Sequence, residues 1–424
     1  MKKIQAVIMA AGNSVRTYPL TITRPKPLLP ILNQTILEHN ISQLSEFVDE
    51  IIIIVNYKSE MIEVFSKKLS LKYKLKIVCV KQKEPLGTAN AVGAAEKVIN
   101  GKFIVLNGDD LFSKNDIRQC IKHEYCVLGK KVNDISCYGA IIQKNKFVLD
   151  LVEKPKTRVS DLANVGCYIF GKDIFKIIKT LKKSERNEYE ITDAIKILSK
   201  QKKVYCEDVS DYWCPHSYAW NVLTSTSSIL NNPDNLKHLK DDKNAKTNNL
   251  KKRSEENIEN IENVENVSIN EDKGPVIIGM GSIIKAGSYI EGPCLIGENC
   301  TIGPNSIIVQ SSLGNSCLVG GNSQINNSVL FDNVSVGISS LINNSVIGYN
   351  VLIGSRVLTI DNDIDNINIR SKVKDSFVDS GMKKLGAIIG DFAHVGDNVV
   401  IHPGIKIWPY RKVSHNSILK EDLV

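Results

Sequence analysis

From residue 276 onward the chain places an aliphatic side chain at every sixth position. Ile278, Ile284, Ile290, Ile296, Ile302 and Ile308 fall in step. The phase slips by one residue and resumes at Leu313, Val319 and Ile325, then returns at Ile347, Ile353, Ile389, Val395, Ile401 and Ile407. Small residues stand four places after most of the first series: Ser282, Ser288, Cys294, Cys300 and Ser306. A small residue recurring with this period marks the tight corner of a triangular coil, and the pattern predicts a parallel β-helix of hexapeptide repeats over 274–424. Each side of a coil turns one aliphatic inward, so stacked coils bury a continuous core. Cysteines at these positions read as small buried corner residues rather than ligands or nucleophiles.

The first ~225 residues follow a different rule, alternating short apolar runs with amphipathic stretches. Runs at 4–9, 50–55, 77–80, 103–106 and 165–170 predict strands; stretches at 37–47, 60–69, 88–98, 117–123 and 191–199 predict helices. That order predicts an α/β domain with a largely parallel sheet, whose ligands bind at the carboxyl ends of strands. Between the two regions, residues 231–272 are poor in aromatics and rich in Asn, Lys and Glu, as a flexible linker is. A repeated Glu-Asn-Ile/Val unit at 255–267 allows a transient helix there. The expected domains are therefore 1–230, a polar linker at 231–273, and 274–424.

Composition narrows the class of protein. No stretch approaches the ~18 apolar residues of a membrane span. The formal charge of +8 suits phosphate substrates, but the lysines are scattered, which argues against a nucleic-acid surface. Ten cysteines without CxxC pairs argue against a zinc ribbon or a disulfide framework and fit a reducing cytoplasm.

Chemistry concentrates in the first domain. The run at 4–9 opens into MAAGNSVRTYPLTITRPKPLLP (9–30). Gly12 at the strand end, with Ala11, lets backbone N–H groups approach a polyphosphate. Arg16 and Lys26 supply fixed positive charge for phosphate oxygens. The text LNGDDLF (106–112) offers carboxylates at another strand end, where Mg²⁺ needs them; Asp109 is the metal candidate, and Asp110 either substitutes or faces water. In QKEPLGTANA (82–91), the Gln82 amide can read a pyrimidine edge, Gly87 admits the backbone close to a base, and Thr88 either contacts the base or caps the next helix.

These segments resemble the sugar-1-phosphate nucleotidyltransferase signature, written roughly AAGxGTRLxPLT…PKPL, QxxPLGTAxA and GD. Tyr138-Gly139-Ala140, Val152-Glu153-Lys154-Pro155, Asn164-Val165-Gly166-Cys167-Tyr168 and EYEITDA (188–194) keep the family's later order. The resemblance implies Gly139, Glu153 and Asn164 on the sugar and Lys154 near its phosphate. The chain as a whole resembles the archaeal two-domain branch, bifunctional in nucleotidyl transfer and amino-sugar acetylation. That implies an α/β nucleotidyltransferase domain (Rossmann-like, mostly parallel sheet) followed by a left-handed parallel β-helix, a homotrimer, and UTP or dTTP with a sugar 1-phosphate as substrates.

Departures from the family are local. Ser14-Val15 replaces Gly-Thr in the phosphate loop. In YWCPHSYAWNVLTST (212–226), Pro215 stands opposite a metal-binding Asp, with His216 beside it. Val309-Gln310 replaces a basic Arg-Pro, and Ile338 occupies the place of the histidine base for acetyl transfer. Isoleucine cannot take a proton from an amine, so the β-helix is expected to be mainly a trimerisation and regulatory scaffold. His394 and His402 lie in regular coils and read as surface residues. A Mg²⁺-dependent nucleotidyltransferase is the first expectation. The alternatives are a binding or regulatory paralogue without turnover, and a bifunctional enzyme with a rebuilt acetyl site.

Overall fold

The computed structural model describes residues 4–231, 245–247 and 266–424. It divides into two compact units: Met1–Asn13, Arg24–Leu29 and Thr35–Pro215 in the first, and Ser14–Thr23, Pro30–Gln34 and His216–Val424 in the second.

The first unit is built on a nine-stranded sheet. Its strands are β1 (Ile4–Ala10), β2 (Val48–Val55), β3 (Lys76–Lys81), β4 (Phe103–Asn107), β5 (Cys126–Lys131), β6 (Gly139–Lys144), β7 (Phe147–Glu153), β8 (Leu162–Phe170) and β9 (Tyr205–Asp208), in the order β3-β2-β1-β4-β8-β5-β9-β7-β6. The expected parallel pairing holds for β3-β2-β1-β4. Beyond β4 the sheet is mixed: β8 runs antiparallel to both β4 and β5, and β6 and β7 form an antiparallel pair. Ile51–Ile54 and Phe103–Leu106 are fully buried, as strands covered on both faces must be. Strands β5, β6, β7 and β9 left no comparable apolar run, because Gly, Lys, Asp and Glu punctuate them.

The expected helices appear as α1 (Ile36–Leu44), α2 (Ser59–Tyr73), α3 (Thr88–Gly93), α4 (Lys114–Ile121) and α6 (Ile191–Gln201), with α5 (Ile174–Ile178) added. Two have N-caps that fix their starts. Thr35 accepts from the Glu38 N–H at the head of α1, and Ser113 accepts from the Asp116 N–H at the head of α4. Helix α3 is shorter than expected. After Gly93 the chain continues in turns to residue 98.

The second unit is the parallel β-helix, with helix α7 (Asn221–Leu230) and the segments at 14–23 and 30–34. Three sheets form its sides, parallel throughout except at the edge strand Ala245–Thr247, which pairs antiparallel to Val276–Gly279. Every residue of the six-residue series is in its core, and Leu330, Val336 and Ile342 extend it across the gap. Each such aliphatic contributes roughly 1.5–3 kcal/mol of burial. Corner residues bond from coil to coil: Ser282 Oγ donates to Gly297 O at 2.7 Å and Ser288 Oγ to Gly303 O at 2.9 Å. Cys294, Cys300 and Cys317 are buried, as small corner residues.

The helix starts inside the segment read as linker, since Ser268–Asn270 already pairs in parallel with Tyr289–Glu291. Coils repeat at 18 residues early and at 17 in the middle, which is the slip seen in the sequence, and at 18 again in the last coils. One coil is 42 residues long, and its long connection carries the hairpin Arg370–Val373/Ser376–Asp379. The transient helix expected at 255–267 lies largely outside the described residues.

Candidate active site

Strands β1 and β4 are parallel neighbours, so the turns after them open on the same edge of the sheet. Gly108 makes that approach close. Its N–H bonds Met9 O at 3.0 Å, and a Cβ there would stand 2.5 Å from the same oxygen. Ala11 is buried at the end of β1 and Gly12 is exposed beside it. Lys26, on the short turn Lys26–Leu28, is only 3% exposed, yet its Nζ lies 2.8 Å from Asp109 Oδ2, on a carboxylate 43% exposed.

The two aspartates that the sequence left as alternatives are thereby distinguished. Asp109 is partly open to solvent. Asp110 is buried and accepts from Trp213 Nε1 at 3.2 Å, while its main-chain oxygen accepts from Asn40 Nδ2 at 2.8 Å. Asp110 therefore does not face water, as one reading had it. It anchors the strand pair Asp110–Phe112/Trp213–Pro215, in which Pro215 sits directly opposite Asp110. A proline brings no carboxylate to this point. Among the described residues no group of three or more His, Cys, Asp or Glu side chains forms a metal cage. Mg²⁺ binds through one or two carboxylates plus substrate phosphates, and Asp109 fits that mode.

The loop at 82–91 is tied to its own domain. Gln82 is buried, with Nε2 bonded to Asn90 Oδ1 at 2.7 Å and to Gly87 O at 3.3 Å. Its amide nitrogen is thus committed to holding the loop. Gly87 has φ +104°, and a Cβ there would stand 2.6 Å from Tyr189 O, so packing against the 188–189 backbone by itself requires glycine. The Thr88 hydroxyl accepts from the Ile191 N–H at 3.0 Å. It satisfies the first turn of α6, a helix 103 residues away in sequence, not the one that follows it.

Three of the four sugar candidates converge. In the ladder between β6 and β7, Gly139 is opposite Glu153; in that between β6 and β8, it is opposite Asn164. A Cβ on Gly139 would lie 3.2 Å from Glu153 Oε2, so a larger residue would push the carboxylate aside. Asn164 is oriented by Nδ2 donating to Tyr168 Oη at 2.8 Å. Lys154 follows directly, its N–H bonded to Tyr138 O, with φ +41°. Burial raises the Glu153 pKa above its ordinary value; the charge of Glu190 adds to this, and Lys154 and Arg186 pull the other way.

Sequence reading missed the group that manages these carboxylates. Arg186 Nη1 lies 3.3 Å from both Glu153 Oε1 and Glu190 Oε1, and Nη2 3.4 Å from Glu188 Oε2. The signal was available: carboxylates at 188 and 190, in a motif expected beside the sugar, call for a cation nearby.

The second unit holds the remaining predicted residue. Arg16 lies on the turn Val15–Thr17, exposed, with its guanidinium 5.7 Å from the Tyr218 ring. Ser14 starts that turn at φ +23°, in the region glycine favours, and its carbonyl accepts from the Thr17 N–H and from the hydroxyls of Thr17 and Thr21. His216 is fully buried. Ile338 and His394 are exposed on the coils, and His402 is half-buried.

Comparison with known proteins identifies the family. A profile for the nucleotidyl transferase family matches residues 5–221, and one for the GMPPB C-terminal domain matches 290–424. The bifunctional protein GlmU of Methanocaldococcus jannaschii is 37% identical over 229 residues, a match spanning 54% of this chain and 55% of that protein. The chain thus spans about half the length of that relative. A bifunctional sugar-1-phosphate nucleotidylyltransferase/acetyltransferase of Sulfurisphaera tokodaii is 32% identical over 430 residues, covering 99% of this chain and 98% of that protein. On both the profile match and the full-length relative, this chain belongs to the nucleotidyl transferase family.

Proposed function

We propose that this protein transfers a nucleotidyl group from UTP or dTTP to a sugar 1-phosphate, with Mg²⁺, releasing pyrophosphate. The observation that carries this reading is the Lys26–Asp109 pair, the carboxylate just past the end of β4 and the ammonium reaching it from the turn Lys26–Leu28. It sets a cation for phosphate oxygens beside a carboxylate for a metal. When bound, Mg²⁺ would offset phosphate charge; Asp109 would hold it. Lys26 and Arg16 stabilise the negative charge that grows on the triphosphate as a sugar-phosphate oxygen attacks the α-phosphorus. Ala11 and Gly12 hold the phosphates, Gln82, Gly87 and Thr88 shape the base pocket, and Lys154 orients the sugar phosphate. Gly139, Glu153 and Asn164 bind the sugar. Pyrophosphate release, assayed with UTP and dTTP across several sugar 1-phosphates, tests the reading; no turnover with any pair would overturn it.

Domains 1–230 and 274–424, joined by 231–273, would divide the work. The first is catalytic; the second assembles a homotrimer and has lost acetyl transfer, because Ile338 offers no base. All ten cysteines are free thiols, which supports a cytoplasmic protein without disulfides. No helix among the described residues is long and apolar enough to cross a membrane.

Two other readings have an observation behind each. Pro215 opposite Asp110 favours a paralogue that binds sugar nucleotide without turnover. Tight binding of nucleotide sugar with no pyrophosphate release would establish that case. The full-length likeness to the bifunctional Sulfurisphaera tokodaii relative favours a bifunctional enzyme, for which acetyl-CoA-dependent thiol release with glucosamine 1-phosphate is the direct measurement.

A further inference from the structure

Within the second unit, helix α7 and the coils at 310–344 enclose a groove of about 440 Å³, in the size range of small-molecule sites. Its polar lining is of one kind. Thr224, Thr226 and Ser227 contribute hydroxyls from the helix, and Gln310, Asn327 and Asn344 contribute amides from the coils. The three amides follow one another at 17-residue spacing, and all have left-handed backbones, with φ of 47°, 47° and 44°. They therefore form a column, one amide per coil, at the ~4.8 Å rung spacing of a sheet. Leu223, Val329 and Met382 add apolar surface.

One group here has no structural use. Thr226 is 3% exposed, and its Oγ1 has no hydrogen-bond partner among the described residues. A buried hydroxyl left unpaired costs free energy that an isosteric methyl would not. Gln310 and Asn327 likewise make no side-chain hydrogen bond among the described residues, whereas Asn344 Nδ2 donates to Asp361 Oδ2 at 2.6 Å.

We propose that this groove is a second binding site, for an uncharged polyhydroxylated ligand of mono- or disaccharide size. Charge selects the class. No Lys, Arg, His, Asp or Glu lines the groove, so a phosphate or an ammonium would lose its water and gain no counter-charge. Hydroxyls and amides each donate and accept, as the vicinal hydroxyls of a sugar do. The apolar surface matches the C–H face of a sugar ring. The site is independent of the catalytic reading, which uses charged residues to recognise phosphates.

The test titrates the full-length chain with D-glucose, N-acetyl-D-glucosamine and maltose, followed by saturation-transfer NMR and by thermal melting. Saturable binding of at least one is expected. Thr226→Val and Asn327→Ala should each weaken it about 5-fold or more, the loss of one hydrogen bond, while Asn164→Ala leaves it unchanged. Sugar should raise the melting temperature of the native chain and not of the Thr226→Val chain. If Thr226→Val fails to fold, the exposed Asn327→Ala carries the test alone. No saturable binding up to ~10 mM, or binding that Asn164→Ala abolishes and Thr226→Val spares, overturns the proposal.

Discussion

Lys26 Nζ and Asp109 Oδ2 are 2.8 Å apart, with the lysine buried and the carboxylate half-open. One ammonium thus holds the rotamer of the proposed metal ligand and faces the proposed phosphate site. Removing either member disturbs the other, so their contributions are not additive.

Lys26→Ala should lower kcat for pyrophosphate release by about 10²-fold or more, the usual cost of a lost charge-stabilising donor. Asp109→Asn keeps an acceptor for Lys26 but not a metal ligand, and should abolish Mg²⁺-dependent turnover with circular dichroism unchanged. The double variant should be little worse than the worse single one. A Lys26→Ala enzyme with native kcat removes the catalytic assignment.

Asp110 and Asp109 should separate by phenotype. Asp110→Ala leaves the buried Trp213 indole N–H without its acceptor, and should cost about 1–3 kcal/mol of stability. Urea denaturation of the two variants checks this. Should Asp109→Asn prove the unstable one and Asp110→Ala the native-like one, the roles are reversed.

Glu153 carries a pH prediction. Burial and Glu190 raise its pKa, so it takes up a proton at a pH where an ordinary glutamate is still ionised. If the ionised form binds sugar hydroxyls, KM for the sugar 1-phosphate should climb as pH falls through this raised pKa, with kcat less affected. Arg186→Met removes a charge that lowers the pKa and should move the rise in KM to higher pH. Glu153→Gln should flatten it. For stability the sign is opposite to the usual carboxylate: within the window between the unfolded and the raised folded pKa, the native state binds more protons, and stability falls as pH rises.

Lys406 gives an alkaline signature. It is 2% exposed, donates to Lys372 O at 2.6 Å and lies 5.6 Å from the Trp220 ring; burial pushes its pKa down to about 8, against a smaller upward pull from Asp422. Between about 8 and the unfolded value of ~10.4, the unfolded chain binds the extra proton, so stability should rise with pH there. Lys406→Met should lose that gain. A flat urea midpoint across this range in the native chain would count against the buried ammonium.

Assembly is the last expectation. Light scattering of the full chain should give about three chains per particle, and deletion of 274–424 should give a monomer. A monomeric full-length chain contradicts the trimer.

The six-residue aliphatic series determined the β-helix before any contact was known, because a coil repeats its corner chemistry locally and each inward position recurs at fixed spacing. The strand-end motifs likewise placed Gly12 and Asp109 on one edge of the sheet, since a parallel βα order leaves few other arrangements; Lys26 joins Asp109 only through folding of the turn Lys26–Leu28. What the sequence could not decide depended on partners far along the chain. Asp109 and Asp110 are neighbours of one residue type; only Trp213 and Asn40, brought in by folding, turn the second inward. Thr88 could be read as a base contact or as the cap of its own helix, yet its hydroxyl accepts from the Ile191 N–H. Gly139, Glu153 and Asn164 meet because a mixed sheet brings β6 beside both β7 and β8. Arg186 gained its role only when three carboxylates gathered around it. Local periodicity is written in consecutive residues, whereas burial and charge pairing are set by long-range packing, which no window of sequence contains.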